Sequence, residues 1–180
     1  MAGLEPAGLE ETRVLHTERL ILRPHTLTDF ADSAALWGDP EVTRFIGGRP
    51  FTAEEVWGRL LRYAGHWALL GYGFWVVRER ASGAFVGEVG LQDAHRDIAP
   101  PLGAPELGWV LSPTAHGRGY ATEAVQAALA WAETQLSAER LVCIIAPDNA
   151  ASLRVADKCG FQETGRPVYH GETVVQLERP

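Results

Sequence analysis

The chain has 180 residues, 46% hydrophobic and 22% charged, the size and composition of one globular domain with a real core. Its formal net charge of -7, from 16 Lys and Arg against 23 Asp and Glu, disfavours direct nucleic-acid binding, mildly favours a cationic partner and leaves an anionic ligand dependent on a dedicated local site. Two cysteines, Cys143 and Cys159, with no metal-ligand companions at short spacing, form neither a disulfide framework nor a metal site.

Residues 1–14 read as a flexible N-terminal arm without a signal-peptide pattern, and residues 15–180 as a single domain. No run is long enough to span a membrane, so a cytoplasmic location without membrane partners is expected. Leu20–Pro24 is a strand signal stopped by proline. Thr26-Leu27-Thr28-Asp29 resembles a capping box before a helix over Phe30–Trp37, and a short helical turn is expected at Val42–Phe45. Thr52-Ala53-Glu54-Glu55 is a cleaner box, opening a helix with Val56, Leu60, Tyr63, Ala64 and Trp67 on one face and ending at Gly71.

Phe74–Arg78 and Phe85–Leu91 read as antiparallel strands, with Val86, Glu88 and Gly90 expected on one face. Glu106–Leu111 is the fourth strand, ended by Ser112-Pro113. A long helix from Tyr120 to Leu136 follows, with an apolar stripe of Ala121, Ala124, Val125, Ala128, Leu129 and Ala132. Leu141–Ala146 lacks polar alternation and reads as a fifth strand buried on both faces. Asn149–Lys158 is a short helix, and Phe161–Glu163 and Val174–Leu177 are the last strands. The order implies an α/β layer architecture around a mixed sheet.

His116-Gly117-Arg118-Gly119-Tyr120-Ala121-Thr122 joins the fourth strand to the long helix. Glycines one residue apart allow positive φ and close approach of a ligand, and the helix N-terminus adds orphan N–H donors, so the loop suits phosphate. A tight turn with glycines for steric reasons alone is the other reading. A Rossmann loop would lie near the first strand, and a Walker A loop would continue with Gly-Lys-Ser/Thr; neither holds.

Glu106–Pro113, His116–Ala124, Asn149-Ala150-Ala151-Ser152 and Lys158-Cys159-Gly160-Phe161 together resemble the GNAT family of N-acetyltransferases. Thr17-Glu18-Arg19-Leu20-Ile21-Leu22-Arg23-Pro24 is similar to the start of its ribosomal-protein N-terminal acetyltransferase branch. The resemblance implies a mixed, mostly antiparallel sheet flanked by helices, with fourth and fifth strands splayed to admit acetyl-CoA. It also implies acetyl transfer to a primary amine, of a protein or peptide N-terminus or of a small molecule such as a polyamine or aminoglycoside. A non-catalytic acyl-CoA-binding module is the competing class, and a homodimer is allowed.

By the same resemblance the pyrophosphate falls on His116, Gly117, Arg118, Gly119, Tyr120, Ala121 and Thr122, with His116 a departure from the family's Gln or Arg. The pantetheine falls along Trp109, Val110 and Leu111, and Asn149 and Ser152 lie near the pantetheine or the thiol, with Asn149 as a helix N-cap alone the other reading. Ala156 stands where many members carry a tyrosine acid, which leaves Ser152 as the nearest hydroxyl. Glu106, opening the strand that carries the thioester, is the first candidate for base or amine holder, with Glu88 second and His95 a weaker relay. Trp37, Phe45, Phe51, Trp57 and Trp67 read mainly as core, with Trp57 off its helix's main stripe.

Overall fold

The computed structural model describes residues 13–180. Most of the expected arm therefore lies outside the described residues. Its last part, Arg13, accepts a hydrogen bond on its carbonyl from Trp75 Nε1 at 2.7 Å. The described residues form one large sheet and a two-stranded hairpin, with the sheet in the order β1-β2-β3-β4-β5-β6-β10-β7. These are β1 Leu15–His16, β2 Leu20–Pro24, β3 Phe74–Glu79, β4 Phe85–Gln92, β5 Glu106–Leu111, β6 Leu141–Ile145, β7 Gln162–Gly165 and β10 Val175–Arg179. The hairpin pairs β8 Val168–Tyr169 with β9 Glu172–Thr173. The expected fourth and fifth strands are thus β5 and β6, displaced in count by the two-residue β1, which has no sequence signal.

Every pair in the large sheet is antiparallel except β5 with β6. That parallel pair meets only at Glu106 and Val142. Beyond this point β5 and β6 diverge toward their C-terminal ends, as the splayed-strand expectation requires.

The helices are α1 Phe30–Trp37, α2 Pro40–Thr43, α3 Ala53–Leu70, α4 Tyr120–Gln135 and α5 Ala150–Lys158. Both capping boxes form, at Thr26/Asp29 and Thr52/Glu55, although the first opens a 3₁₀ turn that runs into α1. Helix α2 starts two residues before its expected position, because Pro40 suits the first helical turn and Asp39 Oδ1 accepts from Glu41 N–H. In α3, Val56, Leu60, Tyr63 and Trp67 are buried as read, but Ala64 is exposed.

The main core lies between the sheet and α4, whose Ala124, Val125, Ala128, Leu129 and Ala132 are buried there. Trp67, Trp75 and Trp131 pack edge to face within it, with centroids 5.0, 5.6 and 5.2 Å apart. The opposite face is covered by α1–α3, where Leu36, Trp37, Val42 and Val56 pack on Val110.

One face assignment changes. The β3–β4 register shifts between Val77 and Arg78, so Val86 joins the core under α4 while Glu88 turns to α1 and α3. The bulge adds one residue and reverses the alternation that a regular strand would keep.

Candidate active site

Pairing at Glu106 and divergence beyond it leave a wedge between β5 and β6, open at the end where β5 enters the glycine loop. Gly117 and Gly119 sit at φ +74° and +79°, a region that side chains with a Cβ rarely adopt. A Cβ on Gly117 would meet nothing within 4 Å, so this side of the loop is open. The first bond of α4 runs from Glu123 N–H to Gly119 O at 3.2 Å, which leaves the N–H groups of Tyr120, Ala121 and Thr122 as helix-end donors. The loop residues and wedge therefore fit a diphosphate with a long extended arm.

His116 Nε2 lies 3.1 Å from Leu111 O, folding the ring back on the strand end. Arg118 is paired with Glu79 at 2.6 Å and lies 4.5 Å over the Tyr120 ring. Tyr120 also donates its hydroxyl to Glu79. Hydrogen bonds from Ser82, Tyr120 and Arg118 lower the Glu79 carboxyl to about 2.

The start of β2 is tied to this loop, which sequence reading missed. Glu123 accepts from Thr17 Oγ1 at 2.5 Å and from Arg19 N–H at 2.9 Å, while Arg19 Nη1 donates to Arg118 O at 2.8 Å. Arg19, Gly119, Thr122, Gln126 and Lys158 border a shallow cavity of about 430 Å³ beside the loop. The Thr17–Arg19 stretch was legible as a motif, but its partner Glu123 is 104 residues from Arg19.

On the α1–α3 side, Glu106, Gly108 and Val110 share one face of β5. Phe74 crosses Gly108, where a Cβ would lie 3.1 Å from its ring, and stacks on Tyr63 at 4.5 Å. Trp109 and Leu111 face the core under α4. Glu106 is bound by Arg96 through both oxygens, at 2.6 and 2.7 Å. Arg96 also donates to Tyr169 Oη at 2.9 Å. The β4–β5 loop and the start of β5 thus form one ion pair, which the distant β8 joins through Tyr169. Burial works against the Arg96 charge, but Glu106 outweighs it and holds the guanidinium above its ordinary value.

Glu88 is fully buried. Its Oε1 accepts from Ser33 at 2.7 Å, and its Oε2 accepts from Trp37 Nε1 at 2.9 Å and from Tyr63 Oη at 3.1 Å. His25 Nε2 lies 3.2 Å from Oε1 without the alignment of a hydrogen bond. Burial pushes the Glu88 carboxyl up, but His25, Ser33 and Trp37 together leave it below its ordinary value. These partners make Glu88 a junction of β4, α1 and α3, closed to an incoming acceptor.

Asn149 caps α5, accepting from Ser152 N–H at 3.1 Å through Oδ1. Ser152 is half-buried on the first turn of that helix, and Ala156 is fully buried. His95 is exposed in the β4–β5 loop at φ +43°, with Nε2 3.5 Å from Asp93.

The Acetyltransferase (GNAT) domain model matches residues 19–162. A GNAT-family acetyltransferase structure from Bordetella pertussis is 33% identical, with a TM-score of 0.82 over 93% of this chain and 99% of that one. Two more distant structures share the fold. The spermidine N-acetyltransferase of Vibrio cholerae, in complex with CoA and spermine, is 20% identical, with a TM-score of 0.72 over 91% of this chain and 96% of that one. The ribosomal-protein-S5-alanine acetyltransferase of Vibrio fischeri is also 20% identical, with a TM-score of 0.75 over 92% and 95%.

Proposed function

The chain belongs to the GNAT acetyltransferase family, and from that premise we propose that it acetylates a primary amine approaching from the α1–α3 side of β5. It is an acetyl-CoA-dependent enzyme acting on an amine. The observation that carries the finer reading is the β5–β6 divergence directly before a loop with two left-handed glycines. The two Vibrio enzymes named above act, by their names, on an alanine of ribosomal protein S5 and on spermidine. The terminal amine of a protein or peptide is the first acceptor class to test, and a small amine the second.

Bound acetyl-CoA supplies an acetyl group activated as a thioester. The overall exchange makes an N–C bond, breaks a C–S bond and takes two protons from the ammonium, one to a base and then solvent before attack and one to the departing sulfur. The amides of 117–122 hold the phosphates, with Arg19 and Lys158 beside them. Trp109, Val110 and Leu111 offer the strand edge to the pantetheine. Asn149 and Ser152 flank the thiol end, with Ser152 as the available hydroxyl.

Glu106 faces the acceptor side and either holds the ammonium or takes its proton. Arg96 takes one lone pair on each of its oxygens, and the remaining lone pairs are available to the amine. The test is release of free thiol from acetyl-CoA with a panel of peptides and small amines, preceded by calorimetry with CoA. CoA binding without turnover of any amine would support the non-catalytic class.

A further inference from the structure

The phosphate loop carries a carboxylate of its own. Glu123 stands in the first turn of α4 and borders the same shallow cavity as Gly119 and Thr122. An ionised carboxylate there complements the helix dipole, but it also repels a diphosphate on the amides of the same turn. Burial works against the Glu123 charge, yet Thr17 and Arg19 outweigh it and hold the carboxyl below its ordinary value. The charge is therefore present and has to be cancelled locally.

Arg19 has the geometry to cancel it. Its Nε donates to Glu123 Oε2 at 2.7 Å, and its Nη2 lies 2.6 Å from the same oxygen. Its Nη1 donates to Arg118 O at 2.8 Å, and its guanidinium lies 4.7 Å over the Tyr120 ring. All three nitrogens thus have partners within the loop and its helix. In a trans peptide the N–H points opposite to the C=O, so the bond to Arg118 O turns the Gly119 N–H away from Arg19. That N–H donates to no protein group among the described residues and stays available to a phosphate.

The neighbouring charges are matched elsewhere. Arg118 is paired with Glu79, and Arg80 donates to the carbonyls of Thr17 and Glu18. Glu18 and Lys158 border the cavity with opposite charges. We propose that Arg19 is a positioning residue for the diphosphate of acetyl-CoA, acting through Glu123 and the Arg118–Gly119 peptide and not by touching phosphate. The inference rests on the acetyl-transfer reading above and gives the entry to β2 a part in it. Thr17 and the Arg19 N–H hold the Glu123 carboxylate in place, and the Arg19 side chain removes its electrostatic cost.

The test uses the full chain and begins with calorimetry against CoA. Failure of the parent to bind CoA removes the acetyl-transfer reading and this inference with it. Given binding, Arg19→Gln is expected to weaken CoA roughly tenfold or more, and Arg19→Lys, which keeps the charge, much less. Adding Glu123→Gln to Arg19→Gln is expected to recover most of that loss, because the carboxylate to be cancelled is gone. Glu123→Gln alone is expected to bind CoA at least as tightly as the parent. The ratio of kcat/KM for acetyl-CoA to that for S-acetylpantetheine, which lacks the diphosphate, should fall roughly tenfold in Arg19→Gln; a merely structural loss would lower both alike. The inference alone falls if Arg19→Gln binds CoA as the parent does, or if that ratio is unchanged. It falls equally if Glu123→Gln recovers less than half of the loss on a logarithmic scale, the mark of a direct Arg19–phosphate contact. Weaker CoA binding by Glu123→Gln alone would overturn it even where Arg19→Gln fails to fold.

Discussion

Glu106 and Glu88 are both acidic residues in neighbouring strands, yet their surroundings separate them. Glu106 shares its two oxygens with Arg96 at the edge of the acceptor face, whereas Glu88 is sealed among four side chains, two from α1, one from α3 and His25 from the connection after β2. Glu106→Gln keeps the shape and removes the charge. It is expected to lower kcat roughly 10²–10⁴-fold if Glu106 takes the proton, with CoA affinity by calorimetry retained. A higher KM for the amine at unchanged kcat would assign it to amine binding instead. Glu88→Gln removes the charge that faces His25 and is expected to cost about 3 kcal/mol in urea unfolding, because the partners stay buried. Wild-type stability in that variant would contradict its role as a junction.

Loops and caps carry the second scale. At Gly119 the backbone is left-handed and a Cβ would lie 3.4 Å from Arg19 Nη2, at the mouth of the phosphate loop. Gly119→Val is expected to abolish CoA binding in calorimetry while circular dichroism keeps the α/β signature; unchanged affinity would move the phosphates elsewhere. The turn before α1 is held by a different device. Asp29, buried, accepts from Arg23 at 2.7 and 2.8 Å and from Arg78 at 2.9 Å. Burial raises its carboxyl, but Arg23 and Arg78 prevail and leave it well below the ordinary range. A depressed folded value means stability that is present above the unfolded value, about 3.9, and is lost as pH falls below it. Asp29→Asn is expected to cost about 2–3 kcal/mol at pH 7, below the full buried-pair cost because Arg23 and Arg78 keep some solvent contact. The gap between variant and parent should narrow below about pH 4 in acid unfolding. A gap independent of pH would remove the electrostatic account.

Across the whole molecule, α4 and the sheet are joined by three tryptophans from three elements, α3, β3 and α4. Trp131→Ala opens a cavity at their meeting point and is expected to cost about 3–5 kcal/mol. For a domain of this size that is a fall of about 10 °C in Tm by calorimetry. A change under about 2 °C would show that the core closes over the gap. The same packing sets the frame for the site, since α4 presents the loop amides and the α1–α3 layer covers the other face of β5.

Local patterning was enough for most elements. The capping boxes at Thr26 and Thr52, the alanine stripe of α4, and the strand limits at Glu106 and Leu111 depend on neighbours within a few residues, and each is legible in order. The glycine loop was legible too, because positive φ and helix-end donors are local properties. Lost to sequence reading were β1 and the β8–β9 hairpin, whose two-residue strands give no periodicity, and the bulge that turns Glu88 away from Val86. The partners of the candidate site were lost for a related reason: Arg96 meets Tyr169 across 73 residues, and Arg19 meets Glu123 across 104. Sequence determined which groups the chain owns and which backbone segments hold them. Only the tertiary structure decided that Glu88 is sealed and that Glu106 is shared with Arg96, because Coulomb forces and burial act over distances in space that chain separation does not encode.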